Sequence, residues 1–483
     1  MIDTKALRSK VLDLAVQGKL TEQLESDGTA EELYQQIQEE KQKLIKEGKI
    51  KKEKALQPIS NEEIPFEIPS NWKWVHMGEI FQHNTGKALN SSKTDGELLE
   101  YITTSNVYWD KFDFKVIKKM PFTESEIEKC TITKGDLLIC EGGDIGRSAI
   151  WSFDYDMRIQ NHLHRLRGYL PEISHKYYFY MMRMYKHSGL IDGRGIGLQG
   201  FSSTRVHNLV IPLPPFAEQK RIVERVEEIF KYLDIIDEAQ KKYSADAEIL
   251  KNKLITMGIQ GKLTKQLDSD GTAEELYEQI QEEKQKLIKE GKIKKEKALQ
   301  PVADEEVPFE IPSNWRWCRF GEILNIVSAK RVHQSDWQTS GVPFYRAREI
   351  SKLCENGYVN NDLYISEELY KEYSKFGIPK AGDLMISAVG TLGKSYIVKE
   401  TDKFYYKDAS VLCIENIGKI SSVFLSYILK SEMMKKQIKS NSTGTTVDTL
   451  TMIKLIQYYI PLPPLTEQKR IADTLDEVLR VIG

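Results

Sequence analysis

The chain has 483 residues, 40% of them hydrophobic and 29% charged, with a formal net charge of −2. That length supports more than one domain, and the near-neutral balance excludes a uniformly basic nucleic-acid binder. No apolar run approaches the roughly 18–20 residues that span a bilayer, and the cysteines Cys130, Cys140, Cys318, Cys354 and Cys413 are odd in number and form no CxxC pair, so neither a disulfide framework nor a zinc site is indicated and a reducing cytoplasm is expected.

The chain opens with MIDTKALRSKVLDLAVQGKL, whose charges are spread through its apolar positions, so it does not read as a secretory signal. Leu7, Val11 and Leu14 form an apolar ladder in it. A block then follows, residues 18–80, that returns at 261–323, 243 residues later, with 11 of its 63 positions changed. Within the block Thr29 and Glu32 fit a capping box, Leu33, Ile37 and Leu44 an apolar stripe, and Gly48 a helix stop, predicting a helix over 29–47 and again over 272–290. The Lys-rich segment KEGKIKKEK (46–54 and 289–297) reads equally as a phosphate or partner contact and as a solvated linker, because glutamates interleave its lysines. PFEIPSNW then breaks the helix and leads into a stretch that differs between the halves.

Residues 72–210 hold 18 Lys/Arg against 16 Asp/Glu, and residues 315–459 hold 20 against 15. The basic excess therefore sits in the divergent parts and the acidic excess in the shared frame, and local fields of this kind steer a polyanion. Both divergent parts read as α+β. They share a thin template: KGDLLICEGGDIGRSAI (134–150) aligns with AGDLMISAVGTLGKSYI (381–397), and YITTSNV (101–107) with FYRAREI (344–350). GRGIGLQGFSST (193–204) takes the place of KSNSTGTTVDT (439–449). Gly/Ser/Thr/Gln loops beside isolated Arg or Lys suit hydrogen bonds to base edges and phosphates. The candidate DNA contacts are Lys87, Arg147, Arg194, Gln199 and Ser202 in the first part. In the second they are Lys330, Arg331, Arg346, Arg348, Lys394, Thr443 and Thr445.

Motifs for catalysis are absent or fail on context. Gly195-Ile-Gly197-Leu-Gln-Gly200 fits GxGxxG but has no strand before it and no crossover helix after it. Gly393-Lys394-Ser395 resembles the end of a phosphate loop, yet Ala388 stands at the first glycine, and Gly146-Arg147-Ser148 is its counterpart. His162 and His164 have no cysteine or carboxylate cluster in sequence, so a structural role is expected in place of a metal site. No DPPY- or NPPY-like methyltransferase motif and no paired-carboxylate nuclease signature occurs, so no catalytic residue is assigned.

After each divergent part comes a shared phrase, IPLPPFAEQKRI (211–222) and IPLPPLTEQKRI (460–471). From Phe216 to Met257 there is neither Pro nor Gly. Ile222, Val226, Ile229, Leu233, Ile236, Tyr243, Ala247, Leu250, Leu254 and Met257 alternate steps of four and three, with Gln240 in the interrupted step. That is a coiled-coil seam about 60 Å long. Ile471, Leu475, Val478 and Ile482 repeat its first part at an offset of 249, and Leu7, Val11 and Leu14 its last part at 243. The two ends of the chain are thus expected to form a second, broken rod, antiparallel to the first and lacking about nine positions.

The doubled organisation, the QGKLT, IPSNW-x-W and IPLPP-x-x-EQ-x-RI phrases and the helical ladder together resemble the specificity subunit of a type I restriction–modification enzyme, over essentially the full length. The resemblance implies a conserved helical region at 1–71, a target recognition domain at 72–210, and a central conserved region with a long coiled-coil helix at 211–314. A second target recognition domain at 315–459 and a conserved helix at 460–483 complete it. The implied fold is two α+β domains separated by long antiparallel coiled-coil helices with a pseudo-two-fold internal repeat. It also implies a non-catalytic, cytoplasmic role in DNA methylation, restriction and host defence, each domain reading one half of a bipartite asymmetric site in double-stranded DNA. The implied partners are two methyltransferase and two restriction/translocase subunits, with S-adenosylmethionine, ATP and Mg²⁺ bound by those partners and not by this chain. A two-headed protein-interaction scaffold without DNA recognition is the alternative.

Overall fold

The computed structural model describes residues 1–89, 95–191, 200–440 and 449–482. The chain divides into two compact units, Met1–Lys241 and Lys242–Gly483, and the 44-residue helix Phe216–Ile259 contributes to both.

In the first unit the helix Thr4–Val16 lies antiparallel to the first half of that long helix. Ile2 donates its N–H to Gln240, Thr4 its hydroxyl to Asp237, and Arg8 pairs with Asp234 at 2.7 Å and Asp237 at 3.1 Å. Leu12, Ala15, Val16, Ile222 and Val226 are buried in one core cluster. In the second unit the helix Leu465–Ile482 takes the corresponding place on the second half of the long helix. The Tyr243 hydroxyl donates to the Ile482 carbonyl at 3.3 Å, and a Cβ on Gly258 would lie 3.1 Å from Ile471 and 3.2 Å from Leu475. Each half therefore shows the antiparallel pairing expected, although Leu7 and Val478, placed in the seam by the ladders, are exposed. The seam is not dry throughout: Tyr243 and Leu250 are exposed, as are residues 242–246 and 248–250 generally.

The shared phrases build one clasp in each unit. The strand Lys73–His76 pairs antiparallel with Val210–Leu213, and Arg316–Arg319 with Tyr459–Leu462, so Trp74 faces Pro212 and Trp317 faces Pro461. Gln219 accepts the Ser174 N–H and donates to the Pro214 carbonyl, and Gln468 does the same for Ser421 and Pro463. Each glutamine thus ties the start of an insert helix, His175–His187 or Ser422–Lys430, to the proline turn. Arg221 holds Asp27 at 2.6 Å and Arg470 holds Asp270 at 2.6 Å, closing the repeated block onto the clasp.

The repeated block forms the helices Ala30–Lys46 and Ala273–Lys289, each with a complete capping box, Thr29 with Glu32 and Thr272 with Glu275. Ala30, Leu33 and Ile37 are buried in the first, and Ala273, Leu276 and Ile280 in the second. The following segments have no regular secondary structure and are largely exposed, but tethered. The His76 ring bonds the Gln57 and Asn208 carbonyls at 3.0 Å, while Arg319, its counterpart, donates to the Gln300 and Gln457 carbonyls and pairs with Glu306.

Both inserts are α+β around a four-stranded antiparallel sheet of the same order. In the first, Phe81–Thr85, Leu163–Gly168, Leu137–Cys140 and Ser148–Ile150 are neighbours in turn. In the second, Asn325–Val327, Val411–Glu415, Leu384–Ser387 and Ser395–Ile397 are. A further sheet in each holds one parallel pair, Met157–Ile159 on Glu97–Ile102 and Tyr405–Tyr406 on Val342–Tyr345. The predicted strand–turn–strand is present in both. Its turn needs left-handed backbone at Gly143 and Gly146, and at Gly390 and Gly393, with φ between +71° and +79°, which glycine adopts without strain. The glycines of GGDIG and VGTLG are turn residues, not a phosphate loop.

Candidate nucleic-acid interface

In the first unit several loops are locked together at one edge of the sheet. The Lys87 N–H donates to Ile159 and its carbonyl accepts from Asn161. Gln160 N–H donates to Ile102, Glu141 N–H to His162, and Phe201 N–H to Glu141. The second unit gathers the corresponding loops. Ala388 N–H donates to Ser410, Leu450 N–H to Ala388 and Lys407 N–H to Tyr345, while Lys330 N–H meets the Tyr405 hydroxyl at 3.0 Å. Loops held by backbone bonds keep side chains at fixed positions on a rigid sheet, as a reading surface needs.

The candidate contacts fall into different groups. Lys87 is buried, its side chain only 7% exposed. It pairs with Glu126 at 2.6 Å, donates to the Pro121 carbonyl and lies over the Phe122 ring. It is an internal strut, a role invisible in sequence because its partners lie more than thirty residues away. Lys330, at the equivalent position, repeats the arrangement in a more open form, with Glu372 at 3.2 Å and the Tyr373 ring beneath. Ser202 caps the short helix Ser203–His207 by accepting the Arg205 N–H. Arg147 donates to the Thr104 carbonyl at 2.6 Å and stacks over Tyr108. Arg331 is exposed, and Lys394 is part-exposed beside Glu355 at 3.4 Å. Arg346 and Arg348 share the carboxylates of Glu349 and Asp362. Arg194, Gln199, Thr443 and Thr445 lie outside the described residues.

Against known proteins, the family model "Type I restriction modification DNA specificity domain" matches residues 69–243 and again 312–482. The chain belongs to the family of type I restriction–modification specificity subunits. It is 27% identical to the EcoAI specificity subunit of Escherichia coli, covering 99% of this chain and 89% of that one. It is 26% identical to the EcoEI specificity subunit of the same organism at the same coverage. In fold it is similar to a chain from a solved type I R-M system (TM-score 0.57, 19% identity, 86% of this chain and 92% of that one). It is also similar to the HsdS subunit from Thermoanaerobacter tengcongensis (TM-score 0.51, 19% identity, 87% and 92%). A specificity subunit is a non-catalytic member of its enzyme, and so is this chain.

The loop edges also hold groups that were not among the candidate contacts. Asn161 and His162 border the first edge, His162 half-exposed with Nδ1 3.1 Å from Glu141. Behind them His83 Nε2 lies 3.0 Å from His164 Nδ1, and His164 Nε2 meets the Phe201 carbonyl at 2.8 Å. Because that carbonyl only accepts, His164 carries its proton on Nε2 and accepts from His83. Burial, reinforced by His164 and His207, lowers the His83 pKa to about 3, and burial lowers that of His164. Both rings are thus neutral, His164 fully buried and His83 partly so, a structural role as expected for His164. Among the described residues no group of three His, Cys, Asp or Glu could hold a metal ion, and no helix is long and apolar enough to cross a membrane.

The remaining missed element is a capped turn shared by both edges. In the first unit buried Asn106 accepts the N–H and hydroxyl of Thr103, and Thr103 Oγ1 lies 2.8 Å from Ser105 Oγ. In the second, buried Glu349 accepts the Arg346 N–H at 3.0 Å from the same position of the turn. Burial acts to raise the Glu349 pKa, but hydrogen bonds from Arg346 and Arg348 outweigh it and leave it lowered, so the group is a carboxylate.

Proposed function

We propose that residues 72–210 and 315–459 are two target recognition domains, each reading one half of a bipartite, asymmetric site in double-stranded DNA through its loop edge. The observation that carries this is the contrast within one chain: two sheets of identical order hold corresponding loops with three matching backbone bonds, at Glu141, Phe201 and Gln160 and at Ala388, Leu450 and Lys407, yet the side chains at those edges differ. Basic groups there supply salt-dependent phosphate affinity and base contacts supply choice. The conserved regions 1–71, 211–314 and 460–483 would receive two methyltransferase and two restriction/translocase subunits, which would bind S-adenosylmethionine, ATP and Mg²⁺ in the cytoplasm. The relatives' designation as specificity subunits supports this reading. Sequencing the methylated positions of the host genome with and without the gene tests it: loss of one bipartite motif is expected, and an unchanged methylome for an expressed protein refutes it.

A further inference from the structure

The turns Thr103–Asn106 and Arg346–Glu349 present one backbone device with two different heads. Aligning YITTSNV with FYRAREI sets Thr103 against Arg346, Ser105 against Arg348 and Asn106 against Glu349. In both turns the side chain at the last of these positions is buried and folds back to cap the N–H at the first. The heads differ: a hydroxyl pair in the first unit, a guanidinium pair in the second.

The replacement of Asn106 by Glu349 accompanies that change. A buried carboxylate can hold two guanidinium groups, whereas a carboxamide brings no charge to offset theirs. Glu349 accepts from Arg346 Nε and Nη2 at 3.0 and 3.1 Å, and from Arg348 Nε at 2.7 Å. Asp362 accepts from Arg348 Nη2 at 3.0 Å and from Arg346 Nη2 at 2.9 Å. Arg346 is the more covered, at 28% side-chain exposure against 54% for Arg348. Carboxylates occupy the Nε–Nη2 flank of Arg348, and its Nη1 has no partner among the described residues. Both Asp362 oxygens lie on Arg348 Nη2, at 3.1 and 3.0 Å, so the carboxylates hold the guanidinium from one flank and leave its Nη1 end open.

We propose that Arg348 is a specificity-determining residue that reads a guanine in the half-site of the second unit, its guanidinium end donating to O6 and N7 in the major groove. Arg346 and the two carboxylates are positioning residues. Bidentate pairing of an arginine with these acceptors is the common direct contact to guanine. Two arginines and two carboxylates make the cluster neutral overall, so it attracts phosphate weakly while keeping directional donors. The hydroxyl pair Thr103/Ser105 bonds to several bases and discriminates less. The proposal rests on the loop edge being the DNA surface, and it names what one residue there recognises.

The test uses the full chain assembled with its methyltransferase subunits, and duplexes carrying the motif found by methylome sequencing. Each guanine in turn is replaced by 7-deazaguanine, which lacks the N7 acceptor. One replacement should weaken wild-type binding by about 5- to 150-fold and leave the affinity of Arg348→Ala unchanged, with the salt dependence of that variant equal to wild type. The exchange Arg346→Thr with Arg348→Ser should relax the same position and leave the other half-site intact. If Arg348→Ala weakens all sequences alike and flattens the salt dependence, Arg348 contacts phosphate and the proposal fails. If no 7-deazaguanine replacement matters to the wild type, it fails without involving any variant. Absence of any sequence-specific binding overturns it together with the reading on which it rests.

Discussion

The carboxylate of Glu218 accepts the indole N–H of Trp72 at 2.7 Å inside the first unit, and Glu467 accepts that of Trp315 at 2.8 Å inside the second. Each glutamate also takes a hydroxyl, from Thr21 or Thr264. The IPSNW, GKLT and EQ phrases are thus three parts of one buried hydrogen-bonded knot. Glu218→Ala leaves the Trp72, Thr21 and Gln23 donors without their acceptor and should cost about 2–4 kcal/mol. Hydrogen exchange would report local opening at the Thr4–Val16 helix and the first clasp. Glu467→Ala should open the second clasp, and equal protection loss in both units from either variant would contradict this assignment.

The His83–His164 pair predicts an acid sensitivity confined to the first unit. His83 has a folded pKa near 3 against an ordinary 6.5, so below about pH 6.5 the unfolded state binds the proton that the folded state refuses. Stability contributed by the neutral pair is complete above that pH and is lost progressively as pH falls toward 3. At pH 5 the loss from His83 is about 2 kcal/mol. The aligned positions in the second unit are Ile326 and Leu412, both buried. His83→Ile with His164→Leu should therefore flatten the pH profile of unfolding between 7 and 5. A double variant as acid-sensitive as the wild type would place the titrating group elsewhere.

How far the sequence could be read depends on the distance over which each decision is made. The capping box at Thr29 and Glu32, the turn glycines and the paired ladders are settled by neighbours or by repetition, and they are visible in the chain as written. The resemblance likewise rested on short phrases that now prove to be one clasp. Lys87 could not be placed, because a charged side chain reads as exposed until the fold brings Glu126 and Phe122 around it; the Asn106 and Glu349 caps are local, but only the fold buries them. The His83–His164 bond joins residues 81 apart. Such contacts belong to the sheet and leave no local periodicity.

The turn glycines separate strain from crowding. Gly146→Ala would place a Cβ 2.1 Å from Ile191 Cδ1 at φ +79°, and Gly393→Ala one 3.2 Å from Ile438 Cδ1 at the same φ. Both should lose about 1–2 kcal/mol to left-handed backbone, and Gly146→Ala more because Ile191 has to move. Chemical denaturation of the two variants would show the ranking, and equal losses would mean that Ile191 gives way freely.

The Lys87 strut and the open Lys394 should part in a binding assay. Lys87→Met removes the ammonium from Glu126, Pro121 and the Phe122 ring, so it should destabilise the first unit. Its effect on DNA affinity at low temperature, where the unit stays folded, should be within twofold. Lys394→Met should leave stability within about 0.5 kcal/mol, as for exposed ion pairs, and lower the salt dependence of DNA binding by about one counterion. Filter binding at several salt concentrations reads both. A flattened slope for Lys87→Met would show that its ammonium leaves Glu126 for phosphate.

The exposed face of the repeated helices carries the last prediction. Gln36, Glu39, Gln42, Lys43 and Lys46 are exposed and recur unchanged at Gln279, Glu282, Gln285, Lys286 and Lys289. Core packing does not demand these identities, since surface positions tolerate change within about 0.5 kcal/mol. The same chain diverged widely in its inserts, so the sameness is what a shared external requirement predicts, with each helix offering one face to one copy of the same partner. Gln42 and Lys43 also line a shallow depression with Gln38 and Lys46, as Gln285 and Lys286 do with Gln281 and Lys289. Reversing charge with Lys43→Glu and Lys46→Glu should remove one methyltransferase subunit from the purified complex. The matching change at Lys286 and Lys289 should remove the other, and all four together should leave the chain alone with its fold intact. Native mass spectrometry counts the subunits directly, and full occupancy of the fourfold variant would move the docking surface to another part of the frame.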